Sequence, residues 1–236
     1  QGHIIGSVDG FRAWRETHPG AVYLHRGRSY IIEEIDSGRA RIVAKEAKVG
    51  WFTRTRGQKT TDILEETERV SLGRVLVCRG RLRIIDTITG YEKRSTTGNR
   101  LLTITPLEAP PQVFETEGMW FVIPDSIRAV LEENFMHFMG GIHALEHAAI
   151  GMLPLLIMAD RNDFGGISTP MHIQLGLPAV FIYDGLPGGA GLTRHAFSDA
   201  RALLEATCRT VASCPCEDGC PSCVHSPKCG SGSRPI

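Results

Sequence analysis

The sequence predicts an α+β chain in two parts: a small β-barrel-like N-terminal part, residues 1–110, and a mainly helical part, residues 111–236, ending in a cluster of cysteines. Three observations carry this reading. Short runs rich in β-branched and aromatic residues, punctuated by turn residues, fill the first part. Apolar residues at helical spacing dominate the second. Charge and sulfur divide in the same way. Residues 1–110 hold 19 Lys+Arg against 13 Asp+Glu, residues 111–236 hold 7 against 13, and six of the seven cysteines fall in the second part.

The 236 residues carry no net charge, with 42% apolar and 22% charged side chains, which excludes disordered and collagen-like classes. That length can bury a core in one large domain or two small ones. No apolar run reaches the ~18 residues of a membrane span, so no membrane partner is expected. The chain begins at Gln1 rather than Met and shows no signal segment, which points to a piece of a longer, cytoplasmic protein.

In chain order, Val8–Thr17 predicts a short helix, stopped by His18-Pro19-Gly20. Ala21–His25 and Ser29–Ile35 predict a hairpin around Arg26-Gly27-Arg28, and Arg41–Ala44 a third strand. Gly73–Arg79, Leu82–Thr89 and Arg100–Thr105 read as further strands. Pro106–Pro111 reads as a linker and Gly118–Ile123 as one more strand. Pro124-Asp125-Ser126 starts a helix carrying Ile127, Val130, Leu131, Phe135 and Phe138, which Gly140-Gly141 is expected to break. A second helix runs from about His143 to Ala159; apolar almost all round, it is expected at the centre of its domain. Asp160–Gly166 reads as a turn, Leu177–Tyr183 as a strand, Asp184–Gly191 as a glycine-rich turn, and Leu192–Val211 as a long amphipathic helix.

The excess arginines of the first part fall on polar positions and turns. Trp51 and Phe52 beside Arg54-Thr55-Arg56 combine stacking faces with cations, which suits a nucleic-acid backbone, and Arg54, Arg56 and Lys59 are the candidate contacts. A solvated charged rim is the plainer reading of any single arginine.

Three constellations bear on chemistry. The first is Cys214-Pro-Cys-Glu-Asp-Gly-Cys-Pro-Ser-Cys-Val-His-Ser-Pro-Lys-Cys229, five thiols in 16 residues with Gly and Pro at the bends. Soft thiolates brought together by local chain reversal suit one tetrahedral zinc ion. Cys220-Pro-Ser-Cys223 is the most specific part; Cys214 and Cys216 can supply the other pair, with Cys229 competing for the fourth place and His225 behind it. Disulfides and an iron–sulfur cluster are the other uses of such thiols. Four thiolates would close the coordination shell and leave a structural rather than catalytic ion.

The second is His143-Ala-Leu-Glu146-His147, a His-x-x-Glu-His pattern that would serve a metal-dependent hydrolase. The alternative is a polar network inside the core. The third is the glycine-rich turn after the 177–183 strand, which reads as close backbone packing, with amides offered to a DNA phosphate as the lesser alternative. It matches neither a Walker A nor a dinucleotide fingerprint, and Gly57-Gln-Lys-Thr60 also fails the Walker test.

The cysteine motif, together with His143–His147, Asp160–Gly166 and Tyr183–Gly191, resembles the C-terminal region of mitomycin repair factor A-like (MrfA) superfamily 2 DNA helicases. His18–His25 is similar to the β-rich segment just upstream in that family. The resemblance covers nearly the whole chain and is most specific over residues 143–231. It implies an ATP-dependent helicase moving 3′ to 5′ on DNA during repair, with this chain as a non-catalytic accessory region. ATP and Mg2+ would belong to motor lobes absent from the chain. Single-stranded or forked DNA and the motor domains of the same polypeptide are the implied partners. The implied ligands of a structural zinc are Cys214, Cys216, Cys220 and Cys223, with Cys229 as an alternative fourth. A hydrolase using His143, Glu146 and His147, or a module that only docks protein, are the competing readings.

Overall fold

Arg26 and Gly27 both take positive φ, 47° and 76°, forming the two-residue turn whose twist matches antiparallel strands. In the computed structural model, which describes residues 2–226 and 229, that turn joins β1 (Val22–His25) to β2 (Arg28–Asp36). β3 (Arg41–Glu46) completes a three-stranded antiparallel sheet of order β1-β2-β3. Tyr30 and Ile32 alternate into the buried face of β2. Helix α1 (Gly10–Glu16) comes before the sheet, and its Arg15 grips the buried Asp86 at 2.6 and 2.9 Å. His18, 1% exposed, lies against the Tyr91 ring with centroids 4.4 Å apart.

Two long strands follow, β4 (Trp51–Leu72) and β5 (Val75–Ser95), turning at Gly73; β6 (Leu101–Pro106) pairs antiparallel with β5. The sequence reads Gly73–Arg79 and Leu82–Thr89 as separate strands, yet they are one. Gly80 does not interrupt the strand, because it sits where a Cβ would overlap the carbonyl of Glu65 on β4. From Gly80 to Gly90 β5 alternates strictly, with Leu82, Ile84, Asp86 and Ile88 inward and Arg81 and Arg83 outward. β4 was not expected as a strand. Its Thr- and charge-rich sequence has only one fully buried position, Thr61, so no apolar alternation marks it.

The chain divides into two compact units, Gln1–Gln58 with Asp86–Gln112, and Lys59–Ile85 with Val113–Ile236. Residues 59–85, which composition groups with the first part, thus belong to the second unit, where the sequence reading draws a single boundary near residue 110.

The sheet order is β4-β5-β7-β9-β8, with β7 (Gln112–Val122), β8 (Phe164–His172) and β9 (Leu177–Asp184). Register between β7 and β9 runs from Gly118 opposite Tyr183 to Val122 opposite Ala179. Helices α2 (Asp125–Glu133), α3 (Phe138–Leu156), α4 (Leu192–Ser198) and α5 (Ala200–Ser213) belong to the same unit. Val77, Met119, Phe121, Val180 and Ile182 from the strands pack with Ile142, Ala149, Leu153, Phe197 and Leu203 from the helices in one core. Helix α3 lies in that core, as its all-round apolar character requires, and the fold is α+β.

Three helix boundaries differ from the sequence reading. Phe135 leaves α2 in the left-handed region (φ 56°) and ends the helix early. Gly140-Gly141 then sits in the first turns of α3, where the His137 ring caps the Gly140 N–H at 3.0 Å and holds a segment that glycines would loosen. The predicted 192–211 helix is broken at Asp199, which ends α4 and starts α5. Asp160–Gly166 is less open than expected: a capped 3-10 turn over Arg161–Asp163 runs straight into β8. No helix among the described residues is long and apolar enough to cross a membrane.

Candidate metal centre

The cysteine loop begins where α5 stops, with Ser213 the last helical residue and Cys214 extended after it. The chain passes Gly219 (φ 80°) and reverses, and the N–H groups of Cys223 and His225 both donate to the Cys220 carbonyl, at 3.1 and 3.0 Å. The Cys220 N–H donates to Cys223 Sγ at 3.3 Å. This knuckle brings together the sulfurs of Cys214, Cys216, Cys220 and Cys223, all within 4.8 Å of one another. Neighbouring pairs are 3.4 Å (214–216), 3.6 Å (214–220), 3.5 Å (216–223) and 3.6 Å (220–223) apart.

These lengths decide the chemistry. Sulfurs bound at about 2.3 Å to one tetrahedral ion stand about 3.8 Å apart, whereas a disulfide holds them at about 2.0 Å. The thiols are unbridged and lie near the first distance, so they fit a single ion with no sulfur–sulfur bond. An all-thiolate set without oxygen donors suits zinc over magnesium, calcium or manganese. The Ser222 backbone N–H, and then the neighbouring Cys214 thiol, pull the Cys220 thiol down to about 7. The Cys214 thiol, and then Cys223, push the Cys216 thiol up to about 12, so a bound metal must displace protons from the cluster.

Small residues on α3 seat the loop. Ala148, fully buried, packs with Cys223 and Val224, and Ala144 borders the same cluster with Cys214, Cys216 and Cys220. Pro227 and Lys228 of the motif lie outside the described residues.

Cys229, read from sequence as a possible fourth ligand of this centre, stands elsewhere, with its sulfur 3.3 Å from His143 Nε2. His143 and His147 are buried on one face of α3, their ring centroids 4.3 Å apart. His147 Nδ1 donates to the Val224 carbonyl at 2.8 Å, tying α3 to the cysteine loop. His143 Nδ1 meets Ser168 Oγ at 3.0 Å and Glu146 Oε2 at 3.3 Å. Cys229, and then Glu146, raise His143 to about 9 against the opposing effect of burial. The His-x-x-Glu-His residues thus occupy a buried polar network around α3, and Glu146 is engaged with the first imidazole.

The basic candidates are more scattered. Arg54, half-buried on β4, has no carboxylate within ion-pair distance among the described residues. Arg56 lies 3.7 Å from Glu92. Lys59 belongs to the second unit, where its Nζ is 3.3 Å from the Tyr183 hydroxyl. Arg79 pairs with Glu68, while Arg81 and Arg83 share Glu115 at 2.8 and 3.1 Å. Much of the basic excess read from the sequence is therefore balanced locally. Lys93 sits over the Trp51 ring, 5.7 Å from its centroid, while Arg54, three residues along the same strand, lies on the opposite face of β4.

The glycine-rich turn binds an anion, but an internal one. Asp184, fully buried at the end of β9, accepts from the N–H groups of Ala190 and Leu192 through Oδ2 (2.7 and 3.1 Å) and of Thr193 through Oδ1 (2.9 Å). These are the amides that sequence reasoning offered to a phosphate. A strand-ending Asp followed by glycines and a helix was the available signal for this capping role. The pairing of His143 with Cys229 had none, since 86 residues separate them.

Comparison with known proteins agrees with this geometry. Residues 145–224 match the family described as the MrfA Zn-binding domain. The uncharacterized ATP-dependent helicase YprA of Bacillus subtilis is 29% identical over 222 residues, 94% of this chain and 29% of that protein. The ATP-dependent helicase HRQ1 of Saccharomyces cerevisiae is 26% identical over 98% of this chain and 22% of its own length. A crystal structure of the DUF1998 helicase MrfA bound to DNA superposes with a TM-score of 0.64 at 26% identity, covering 93% of this chain and 29% of that one. The chain spans less than a third of each of these relatives. With the fold, the cysteine knuckle and these likenesses together, residues 145–224 match the MrfA Zn-binding domain, and nearly the whole chain resembles one segment of the MrfA-like helicases.

Proposed function

We propose that the chain is the zinc-binding, DNA-contacting accessory region of an ATP-dependent 3′–5′ DNA helicase acting in cytoplasmic DNA repair. Nucleotide hydrolysis and Mg2+ binding belong, on this reading, to motor domains of the same polypeptide, and the region alone is not catalytic. The observation that carries it is the convergence of four unbridged sulfurs at 3.4–3.6 Å spacing on a loop seated against α3. Cys214, Cys216, Cys220 and Cys223 would hold Zn2+, and a closed thiolate shell supplies cross-linking rather than catalysis. The knuckle and α3 then form one rigid body that can present a fixed surface to a strand.

Arg54 is the favoured contact for single-stranded or forked DNA, and Trp51, on the other face of β4, is a separate stacking surface. A guanidinium without a carboxylate partner can neutralise a phosphate, and an indole can stack on a base. Arg56 and Lys59, which have local partners, are the weaker candidates of the three.

The test is a binding titration on labelled single-stranded DNA at several salt concentrations. Affinity should fall steeply with salt, and Arg54→Ala should lower the slope of log K against log salt by about one. Salt-independent binding, or none, favours a module that only docks protein and overturns the DNA reading.

A further inference from the structure

Helix α3 carries a second set of soft donors. The ligand atoms of His143, His147 and Cys229 all lie within 4.8 Å of one another, and none of these residues belongs to the four-cysteine group. His143 and His147 are one turn apart, so both rings leave the same face of the helix.

Tautomers decide what the rings can offer. A carbonyl only accepts, so His147 Nδ1 carries the proton donated to Val224, and its Nε2 keeps a bare lone pair. His143 Nδ1 is engaged by Ser168 Oγ and Glu146 Oε2, which leaves Nε2 facing the Cys229 sulfur at 3.3 Å. Imidazoles held at one nitrogen by a carboxylate or a backbone carbonyl, with the other nitrogen converging on a thiol, have the arrangement seen around bound transition metals.

Charge points the same way. Glu146 is 6% exposed, and its ion-pair partner among the described residues is His143 rather than a Lys or Arg. Metal bound at His143 Nε2 would displace the ring proton that now balances this carboxylate and supply the positive charge in its place. A mixed nitrogen–sulfur set with neutral imidazoles suits zinc.

We propose that His143 Nε2, His147 Nε2 and Cys229 Sγ hold a second zinc-type cation, sharing no ligand with the four-cysteine centre, which fastens the chain at Cys229 to helix α3. Glu146 is a positioning residue here: it orients the His143 ring through Nδ1. Three protein ligands leave the fourth position to water. The site stands partly outside the Zn-binding domain match, since residues 145–224 include His147 but neither His143 nor Cys229.

The experiment is metal analysis of the full 236-residue chain after loading with zinc and desalting. The wild type should retain two zinc ions per chain, and Cys229→Ser and Cys220→Ser one each. Glu146→Gln should weaken the second ion about tenfold in a chelator competition while leaving the first unchanged. Cys229 lies beyond the packed core, so its variant should remain folded, as circular dichroism will check. Two ions retained by folded Cys229→Ser overturn the second site. So does one ion in both wild type and Cys229→Ser, and if Cys220→Ser then holds none, the four-cysteine reading survives alone. The converse, one ion in wild type and in Cys220→Ser but none in Cys229→Ser, supports the second site and sinks the first.

Discussion

Replacing Asp184 with Asn tests whether the glycine-rich turn is held by its own carboxylate. The side chain is fully buried and receives three backbone N–H groups, at 2.7, 2.9 and 3.1 Å. Asn keeps the shape but only one acceptor oxygen. Its better orientation faces Ala190 and Leu192, so two bonds survive without ionic character and Thr193 is left opposite an NH2 group. Bonds to charged acceptors contribute about 1.5–3 kcal/mol and neutral ones about 0.5–1.5, so weakening two costs roughly 2 kcal/mol. Orphaning one buried donor costs about 1–3 more. A loss of about 3–5 kcal/mol follows, which at about 2–4 °C per kcal/mol for a chain of this size lowers Tm by roughly 10 °C. Asp184→Ala, which orphans all three amides, should be worse. Scanning calorimetry and urea titration read both. A loss below about 1 kcal/mol for the Asn variant would refute the assignment, because the amides would then have other partners.

Other outcomes follow from the same structure. Burial lowers His18 below the ordinary histidine value, outweighing its hydrogen bond to the Pro19 carbonyl, so the unfolded chain takes up this proton at higher pH than the folded one. Stability is therefore complete above about 6.5 and declines as pH falls through the lowered value; urea midpoints at pH 7.5 and 5.5 should show the decline, and His18→Phe should flatten it. A strong zinc chelator should expose at least four additional thiols to a thiol reagent and lower the melting temperature of the second unit, given that structural zinc contributes about 10–16 kcal/mol of apparent binding energy. An unchanged thiol count would contradict the sulfur-bound ion. Gly80→Ala should destabilise by about 2 kcal/mol or more, since the added carbon meets the Glu65 backbone carbonyl and the paired strands must part. Equal urea midpoints for that variant and wild type would mean the strands yield there without strain.

Legibility varied with the range of the information. The Arg26-Gly27 hairpin, the central helix and the cysteine knuckle were readable because each is specified within about one turn or one loop of sequence. β4 was not, because its side chains are mostly half-exposed and leave no apolar alternation to see. Gly80 read as a break because glycine as a punctuation mark and glycine under a crossing carbonyl look the same in one dimension. The helix start at Phe138 depended on a histidine cap, a less common device than Ser or Asp. Arginines looked more available than they are, since Glu68, Glu92 and Glu115 reach them only once the strands are folded. The meeting of His143 with Cys229 is a tertiary fact outside any local window.

The path of the backbone carries an evolutionary and practical corollary. It passes from one unit to the other at three junctions, 58/59, 85/86 and 112/113, so neither unit is an uninterrupted stretch of gene. A shortened product starting at residue 111 discards Val77, Leu82 and Ile84, each with 0% exposure, and with them part of the second unit's interior. Recombination can therefore inherit or transplant the pair only as a single cassette, and an expression library built from serial truncations should recover folded material only where all three junctions are retained.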